Sequence, residues 1–292
     1  MGRDREVRGD LAREGPGGRG SLNELRRVCS LLAYHAGVLG GWRDPLIPPR
    51  GVPSIGSGDF ARIGEEFFGY FVDVAGLRPH ERVLDVGCGT GRMARPLTAY
   101  LHERGGYEGF DVVPEAIAWC RKRITPRHPR FRFQVADVRN TRYNPSGRVA
   151  ASEYRFPFPG EAFDFVFLTS VFTHMLAPDM ENYLSEIARV LRPGGRCLAT
   201  CFLLNAEARR GIDAGRARFG FGHEAAGCRL EDGEVPEAAV AYEEDRVRDF
   251  FRNHRLPIRE PILHGTWSGR QDGLSFQDII LAFRPPEPAP TA

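Results

Sequence analysis

The chain has 292 residues, of which 42% are hydrophobic and 27% are charged, a size and composition that suit one large α/β core with added segments. Its 40 basic and 38 acidic residues leave a net charge of +2, which argues against a broad nucleic-acid-binding surface. Lys122 is the single lysine and lies in an Arg-Lys-Arg run, so we expect no catalysis by a phosphate-loop lysine or a pyridoxal Schiff base.

The six cysteines are scattered, without the C-x-x-C pairs typical of zinc sites and redox motifs. They are Cys29, Cys88, Cys120, Cys197, Cys201 and Cys228. The first residues are charged and glycine-rich where a secretory signal would be apolar, and no run approaches the roughly 18 apolar residues of a membrane span. We therefore expect no metal site, no disulfide framework, no membrane partner and a cytoplasmic location.

The N-terminal quarter of the chain predicts an arm followed by a helical cover. Residues 1–20 mix glycine and charged residues without periodicity, which predicts a disordered arm. Residues 21–76 are expected to form the cover, with a helix over 21–40, a proline-rich extended segment over 43–57 and a second helix capped by Asp59. We expect both helices to lie over one end of the sheet that follows.

A short apolar run then leads into a glycine-rich turn, Val83-Leu-Asp-Val-Gly-Cys-Gly-Thr-Gly91. The turn needs glycine at Gly87, Gly89 and Gly91 because the backbone must bend sharply and let a ligand approach with no Cβ in the way. The residues from Arg92 to Tyr100 predict the start of a helix. Strand, bare turn and helix in this order are typical of a nucleotide-binding site.

The next predicted strand, Tyr107 to Asp111, ends in a carboxylate 20 positions after Gly91, where the ribose of a nucleotide would lie. A dinucleotide site would have a third glycine in place of Arg92, and Asp85 would repel a phosphate but could hold an ammonium group. The ligand is therefore predicted to be adenosine-like, cationic and free of phosphate.

With these motifs, the sequence resembles the class I S-adenosylmethionine-dependent methyltransferases from about Phe60 to Phe283. The resemblance implies S-adenosyl-L-methionine as the cofactor and a doubly wound, Rossmann-like α/β fold, with a seven-stranded sheet whose last strand is antiparallel. The expected core covers residues 77–284, and residues 285–292 are expected to form a flexible tail.

The resemblance also assigns cofactor-binding positions. In the family, the acid that ends the third strand, here Asp137, accepts a hydrogen bond from the adenine amino group, with the amide of Val138 beside it. The full predicted set is Asp85, Gly87, Cys88, Gly89, Gly91, Asp111, Val112, Asp137, Val138 and Thr169.

The fourth predicted strand, Phe165 to Thr169, leads to His174, where the family's acceptor pocket begins. A hydroxyl acceptor needs a general base, and the near-neutral pKa of histidine suits that role. The alternative is that His174 only hydrogen-bonds a backbone carbonyl or lines the cofactor site. A helix from Pro178, with an apolar stripe that includes Met180 and Leu184, and a fifth strand over 196–202 are predicted to follow.

Two insertions, over 139–155 and 203–242, exceed what is needed to connect these elements. Loops at the carboxyl ends of parallel strands face the ligand, so both insertions are expected to border an acceptor pocket. The predicted substrate contacts are Tyr143, Tyr154, Phe221, His223 and Trp267, the last in the turn between strands predicted over 257–264 and 276–283. The alternative is that the insertions cover the sheet end or mediate a homodimer contact.

The sequence therefore predicts methyl transfer to an oxygen, nitrogen or carbon atom of a small molecule, in secondary or specialised metabolism. Two alternatives stay open at this point. One is a non-catalytic protein that retains the cofactor pocket, and the other is an NAD-dependent oxidoreductase, against which Arg92 and Asp85 argue.

Overall fold

The computed structural model describes residues 20–49, 52, 58–225 and 227–286. The chain divides into two compact units, Met1–Val52 and Pro53–Ala292. Residues 1–19 of the arm predicted over 1–20, and most of the tail predicted over 285–292, lie outside the described residues, so both stay predictions.

The first unit contains one long helix, α1 (Gly20–Leu39), where the sequence predicts a helix over 21–40. The segment after α1 contacts the helix: the hydroxyl of Tyr34 donates a hydrogen bond to the carbonyl oxygen of Pro45 at 2.5 Å. The guanidinium of Arg43 lies over the same tyrosine ring, 5.2 Å from its centre. The predicted position of this helix over the sheet stays a prediction.

The second unit contains ten strands and six α-helices within its described residues. The strands are β1 (Arg82–Val86), β2 (Gly106–Asp111), β3 (Phe131–Val135), β4 (Phe163–Leu168), β5 (Leu191–Cys201), β6 (Leu203–Leu204), β7 (His223–Ala225), β8 (Cys228–Leu230), β9 (Val240–Glu243) and β10 (Asp278–Phe283). The helices are α2 (Phe60–Gly69), which continues as a π-helical turn over Tyr70–Val74, α3 (Ala94–Tyr100), α4 (Pro114–Arg123), α5 (Ala177–Val190), α6 (Ala206–Asp213) and α7 (Glu244–Asn253).

The central sheet has the strand order β10-β5-β4-β1-β2-β3. Its strands are parallel except for β10, which runs antiparallel to β5. The alternation of strands and helices along the chain produces this arrangement, since each helix returns the chain to start the next parallel strand. The predicted doubly wound α/β fold with an antiparallel last strand is confirmed.

The predicted apolar stripe of the helix after Pro178 is also confirmed, because α5 buries it completely. Met180, Leu184, Ile187 and the capping residue Leu191 are all fully buried in the main hydrophobic core. Spacings of three and four residues place these side chains on one face of a helix, which packs on the sheet.

The central sheet has six strands in the described residues rather than the seven expected. The segment predicted as a strand over 257–264 runs beside β10, but it makes only the isolated pairings Ile258–Ala282 and Leu263–Ile279. Pro261 lies between these pairings and has no N–H to donate, so a continuous ladder cannot form. The remaining pairings hold the segment against the sheet without making it a strand.

The insertion over 203–242 forms a small domain-like layer instead of a loop. It contributes a second sheet with the order β6-β9-β8-β7, together with α6. A separate buried cluster lies beneath it, in which the rings of Phe202, Phe221 and Trp267 contact one another edge to face or tilted, with centres 5.4–5.5 Å apart. This layer therefore has its own apolar core.

All six cysteines are free, and all but Cys29 are buried. No helix among the described residues is long and apolar enough to cross a membrane. In the same residues, no group of three or more His, Cys, Asp or Glu side chains is arranged to hold a metal ion.

Candidate functional site

A cavity opens at the carboxyl ends of β1, β2 and β4. In the sheet, β1 pairs with β2 on one side and with β4 on the other, so the strand order reverses direction at this point. Doubly wound sheets bind their ligands at such a switch point because the loops on the two sides diverge and leave a crevice. The glycine-rich turn forms one wall of the cavity.

Two positions of this turn, Gly87 and Gly91, show why glycine is needed there. Gly87 has φ +79°, and a Cβ there would lie 2.5 Å from Cγ2 of Val171 across the cavity. Gly91 has φ +81°, but a Cβ there would meet Cδ1 of Ile124 at 2.5 Å, on the side of α4. Gly87 therefore lets Val171 approach the turn at the cavity wall, whereas Gly91 lets the turn pack on a helix and does not line the cavity.

Asp111, at the end of β2, is buried and hydrogen-bonds to the glycine-rich turn. Its carboxylate accepts the N–H of Gly89 at 2.8 Å and the N–H of Val113 at 2.9 Å. Burial raises the pKa of Asp111, and these N–H bonds oppose that shift because they favour the charged form. The carboxylate thus has a fixed position at the cavity wall.

Asp85, on β1, is fully buried and also lines the cavity. The hydroxyl of Tyr107 donates a hydrogen bond to its Oδ2 at 2.5 Å, while Oδ1 is buried with no hydrogen-bond partner in the described structure. Burial raises the pKa of Asp85 to about 8; the bond from Tyr107 opposes the shift, and the nearby Asp111 adds to it. A buried carboxylate oxygen without a partner suits a cationic donor, because pairing would offset its desolvation.

His174 lies in a 3₁₀ turn after β4 and lines the other side of the cavity. Its Nδ1 lies 2.8 Å from the backbone carbonyl oxygen of Glu237, which can only accept, so Nδ1 carries the proton and Nε2 is left as an acceptor. Burial lowers the pKa of His174, which keeps the ring neutral near pH 7. The ring of Tyr143 packs edge to face against it at 5.8 Å.

The two insertions meet beside His174. The carboxylate of Glu237 accepts the N–H of Thr141 at 2.8 Å and also the Thr141 hydroxyl, and Arg142 donates to the carbonyl oxygen of Ala238 at 3.4 Å. We call these four residues the insertion bridge. It joins the two insertions and includes Glu237, whose backbone carbonyl oxygen contacts His174.

Comparison with known proteins decides which family this site belongs to. Residues 84–199, which carry the glycine turn, Asp85, Asp111 and His174, match the family described as the methyltransferase domain. Those residues form a class I S-adenosylmethionine-dependent methyltransferase domain. S-adenosylmethionine is the cofactor of this class, and the match favours methyl transfer over the NAD-dependent alternative.

Relatives agree with this assignment, and a solved structure agrees with the fold. A fatty-acid O-methyltransferase of Mycolicibacterium smegmatis is 32% identical over 153 residues, 52% of this chain and 48% of that protein. Aklanonic acid methyltransferase DauC of Streptomyces sp. is 30% identical over 149 residues, 49% of this chain and 60% of that protein. The solved PH0226 protein of Pyrococcus horikoshii shares the fold, with a TM-score of 0.52 at 16% identity over 80% of this chain and 94% of that one. The chain spans about half the length of the curated relatives it matches.

Most residues predicted to bind the methyltransferase cofactor come together in the cavity. Those that line it are Asp85, Gly87, Cys88, Gly89, Asp111, Val112, Val138 and Thr169. Asp137 does not, because the insertion after it folds back and brings Arg148 alongside. Arg148 donates to the Asp137 carboxylate through its backbone N–H at 3.1 Å and its Nε at 2.5 Å, which holds the pKa of Asp137 below its usual value.

The predicted substrate residues mostly lie elsewhere. Tyr143 lines the cavity, but Tyr154 packs against the ring of Phe110 at 5.8 Å and is absent from the lining. His223 is exposed on β7, while Phe221 and Trp267 are buried in the second core, where Trp267 Nε1 donates to Asp278 at 2.8 Å. Of the five predicted substrate residues, only Tyr143 therefore lines this cavity; Phe221 and Trp267 fill the second core instead, because large apolar rings in a layer with its own core are buried there.

Several residues that line the cavity were not predicted from the sequence. Ile63 and Phe67 of α2 contribute apolar surface, and Asp179 and Glu237 contribute carboxylates. The apolar stripe of α2 was visible in the sequence but is typical of ordinary core packing. Glu237 had no local signal, since it reaches His174 from 63 positions further along the chain.

Proposed function

We propose that this protein transfers the methyl group of S-adenosylmethionine to a small-molecule acceptor. The observation that carries the proposal is the convergence, in one cavity, of the glycine turn, the acids Asp85 and Asp111 and the acceptor nitrogen of His174. S-adenosylmethionine supplies a methyl group that its sulfonium already activates, so the protein's main task is alignment of the two reactants.

Under this proposal, each end of the cavity binds a different part of the cofactor. Asp111 accepts hydrogen bonds from the ribose hydroxyls, and the N–H of Val138 lies at the adenine end. The unpartnered Oδ1 of Asp85 accepts from the ammonium group of the methionyl part. This oxygen supports the fit, because burial keeps Asp85 protonated near pH 7 in the free protein, and a bound ammonium group would stabilise its charged form.

His174 supports an acceptor that must lose a proton. Its Nδ1 donates to the Glu237 carbonyl, so Nε2 can take a proton from a hydroxyl group as the new bond to carbon forms. The name of one relative, a fatty-acid O-methyltransferase, agrees with an oxygen acceptor on a largely apolar molecule. Apolar lining from Ile63, Phe67 and Met175 suits such a molecule, as found in specialised metabolism.

The test uses S-adenosylmethionine with an isotopically labelled methyl group and a metabolite extract of the source organism. Mass spectrometry should find a labelled small molecule with the parent protein and about ten- to hundredfold less with Asp111→Ala at a cofactor concentration below saturation. If the parent protein binds the cofactor but labels no small molecule, the non-catalytic alternative replaces the proposal.

A further inference from the structure

Both insertions contact His174, at different parts of its ring. From the second insertion, the carbonyl oxygen of Glu237 accepts the Nδ1–H of His174 at 2.8 Å. From the first insertion, the ring of Tyr143 packs edge to face on the imidazole, with centres 5.8 Å apart. The hydrogen bond at one ring nitrogen decides which nitrogen carries the proton, so the state of His174 depends on where the second insertion holds Glu237.

A tight turn shapes the first insertion for these contacts. The side-chain oxygen of Asn140 accepts the N–H of Arg142 at 3.1 Å and the N–H of Tyr143 at 2.9 Å. Asparagine favours such a turn because its side chain accepts from backbone groups two and three residues further on. The turn presents Thr141 to the second insertion and Tyr143 to the imidazole.

Glu237 lies in a short 3₁₀ turn, Pro236–Ala238, and makes two contacts in different directions. Its backbone carbonyl meets His174, whereas its side chain reaches the first insertion. There a single carboxylate oxygen, Oε2, accepts both the N–H of Thr141 at 2.8 Å and the Thr141 hydroxyl. The side-chain contact therefore anchors the residue whose carbonyl faces Nδ1.

We infer that Glu237 and Thr141 are positioning residues for His174: their contact holds the Glu237 carbonyl against Nδ1, which keeps Nε2 ready to take a proton from the acceptor. The inference rests on the proposed function, because a reaction that removes a proton needs this form of the imidazole. Loss of the contact should change the proton position and the rate of methyl transfer, and should leave cofactor affinity alone.

Nitrogen NMR with ¹⁵N-labelled histidine tests the proton position in the free protein. The signals that disappear in His174→Ala identify those of His174 among the eight histidines. At about pH 8, where His174 is neutral because burial lowers its pKa, the parent protein should carry the proton on Nδ1. Glu237→Ala should shift the ratio of the two neutral forms toward Nε2–H by about two- to tenfold, the effect of one neutral hydrogen bond.

Glu237→Gln separates hydrogen bonding from charge. Its amide oxygen can accept both hydrogens of Thr141, so this variant should keep the proton position of the parent protein. Thr141→Val removes the hydroxyl and keeps the backbone N–H, and should shift the ratio in the same direction as Glu237→Ala but by less.

The rate of methyl transfer should follow the proton position. With labelled S-adenosylmethionine and the metabolite extract, Glu237→Ala should transfer label about two- to tenfold more slowly than the parent protein, and Glu237→Gln at about the parent rate. Calorimetry should find S-adenosylhomocysteine affinity within about threefold of the parent protein for both variants.

Glu231→Ala is the matched control, because Glu231 lies in the same insertion but outside the cavity lining. Its carboxylate also accepts backbone hydrogen bonds, from Gly220 and Phe221 at 2.9 Å each. The proton position and the rate should stay unchanged in this variant. Thermal melts show whether each variant is folded, and Thr141→Val keeps the test decisive if Glu237→Ala is not.

Three results would overturn the inference alone. They are an unchanged proton position in folded Glu237→Ala, a changed position without a change in rate, and equal rate losses in Glu237→Ala and Glu237→Gln, which would assign the effect to charge. A parent protein that labels no small molecule would instead remove the proposed function, and the inference with it.

Discussion

The hydroxyl of Tyr107 holds one oxygen of Asp85 at 2.5 Å and leaves the other oxygen buried in the cavity wall without a partner. Gly109 leaves room for two neighbouring side chains, because a Cβ there would lie 2.9 Å from Cβ of Cys88 and 3.1 Å from Cε1 of Tyr107. The pair of Tyr107 and Asp85 links the stability of the free protein to its capacity to bind a cation.

The first prediction concerns the stability of the ligand-free protein as a function of pH. Burial raises the pKa of Asp85 from 3.8 to about 8, so the folded protein keeps a proton that the unfolded chain releases above about pH 4. Its contribution to stability is therefore full below the unfolded pKa and is lost as the pH rises through about 8. Asp85→Asn cannot ionise, so its stability relative to the parent protein should increase with pH, by at most about 1.4 kcal/mol per unit.

Melting temperatures of the parent protein and Asp85→Asn at pH 5.5 and pH 8 measure this directly. A difference between the two proteins that does not change with pH would contradict the buried, protonated state of Asp85. The same variant should bind S-adenosylhomocysteine more weakly at pH 8, since the ammonium group loses a charged partner.

The second prediction concerns Tyr107→Phe, which removes the hydrogen bond that favours the charged form of Asp85. The pKa of Asp85 should rise further, so binding of S-adenosylhomocysteine should weaken at pH 7 and recover at a higher pH than in the parent protein. Calorimetric titrations across this pH range test the shift. An identical pH dependence in both proteins would show that Tyr107 does not control Asp85.

The third prediction compares two acids that follow neighbouring strands. Asp111→Ala should weaken binding of S-adenosylhomocysteine by about one to two decades, because a charge-assisted hydrogen bond is worth roughly 1.5–3 kcal/mol. Asp137→Ala should have a smaller effect, since Asp137 lies outside the cavity lining and already pairs with Arg148. A larger loss from Asp137→Ala would reverse the two assignments.

The fourth prediction is that His174→Ala lowers turnover by about two to four decades while cofactor affinity changes little. The pKa of His174 lies below its usual value because of burial, so the activity of the parent protein should fall only on the acid side of about pH 6.5. The variant should lose that acidic limb. Unchanged turnover in the variant would assign His174 to cavity lining and favour an acceptor that needs no base, such as an amine.

The sequence predicted the features that arise within one strand and the turn after it. Asp111 ends a strand of the central sheet, and the glycine turn, Val138 and His174 come after other strands of it; parallel strands bring their carboxyl ends together whatever the rest of the chain does. Burial of the α5 stripe followed from its spacing in the same way.

Features that depend on contacts between distant segments were missed. The insertion over 203–242 has its own core, and a sequence window cannot tell a ring that walls a pocket from one that fills such a core, as Phe221 and Trp267 show. The contacts of Glu237 with Thr141 and His174 join residues 96 and 63 positions apart. Pro261 did carry a local signal against a seventh strand, because proline interrupts a ladder.

The central claim is that one cavity holds the cofactor beside His174. Hydrogen–deuterium exchange with and without S-adenosylhomocysteine tests it most directly, because a bound ligand slows exchange of the amides it contacts or stabilises. Protection is predicted in peptides that cover residues 85–93, 110–113, 138–143 and 169–175, with little change in peptides that cover 221–230 and 265–270. Protection confined to these last two segments, with none at the glycine turn, would contradict the account.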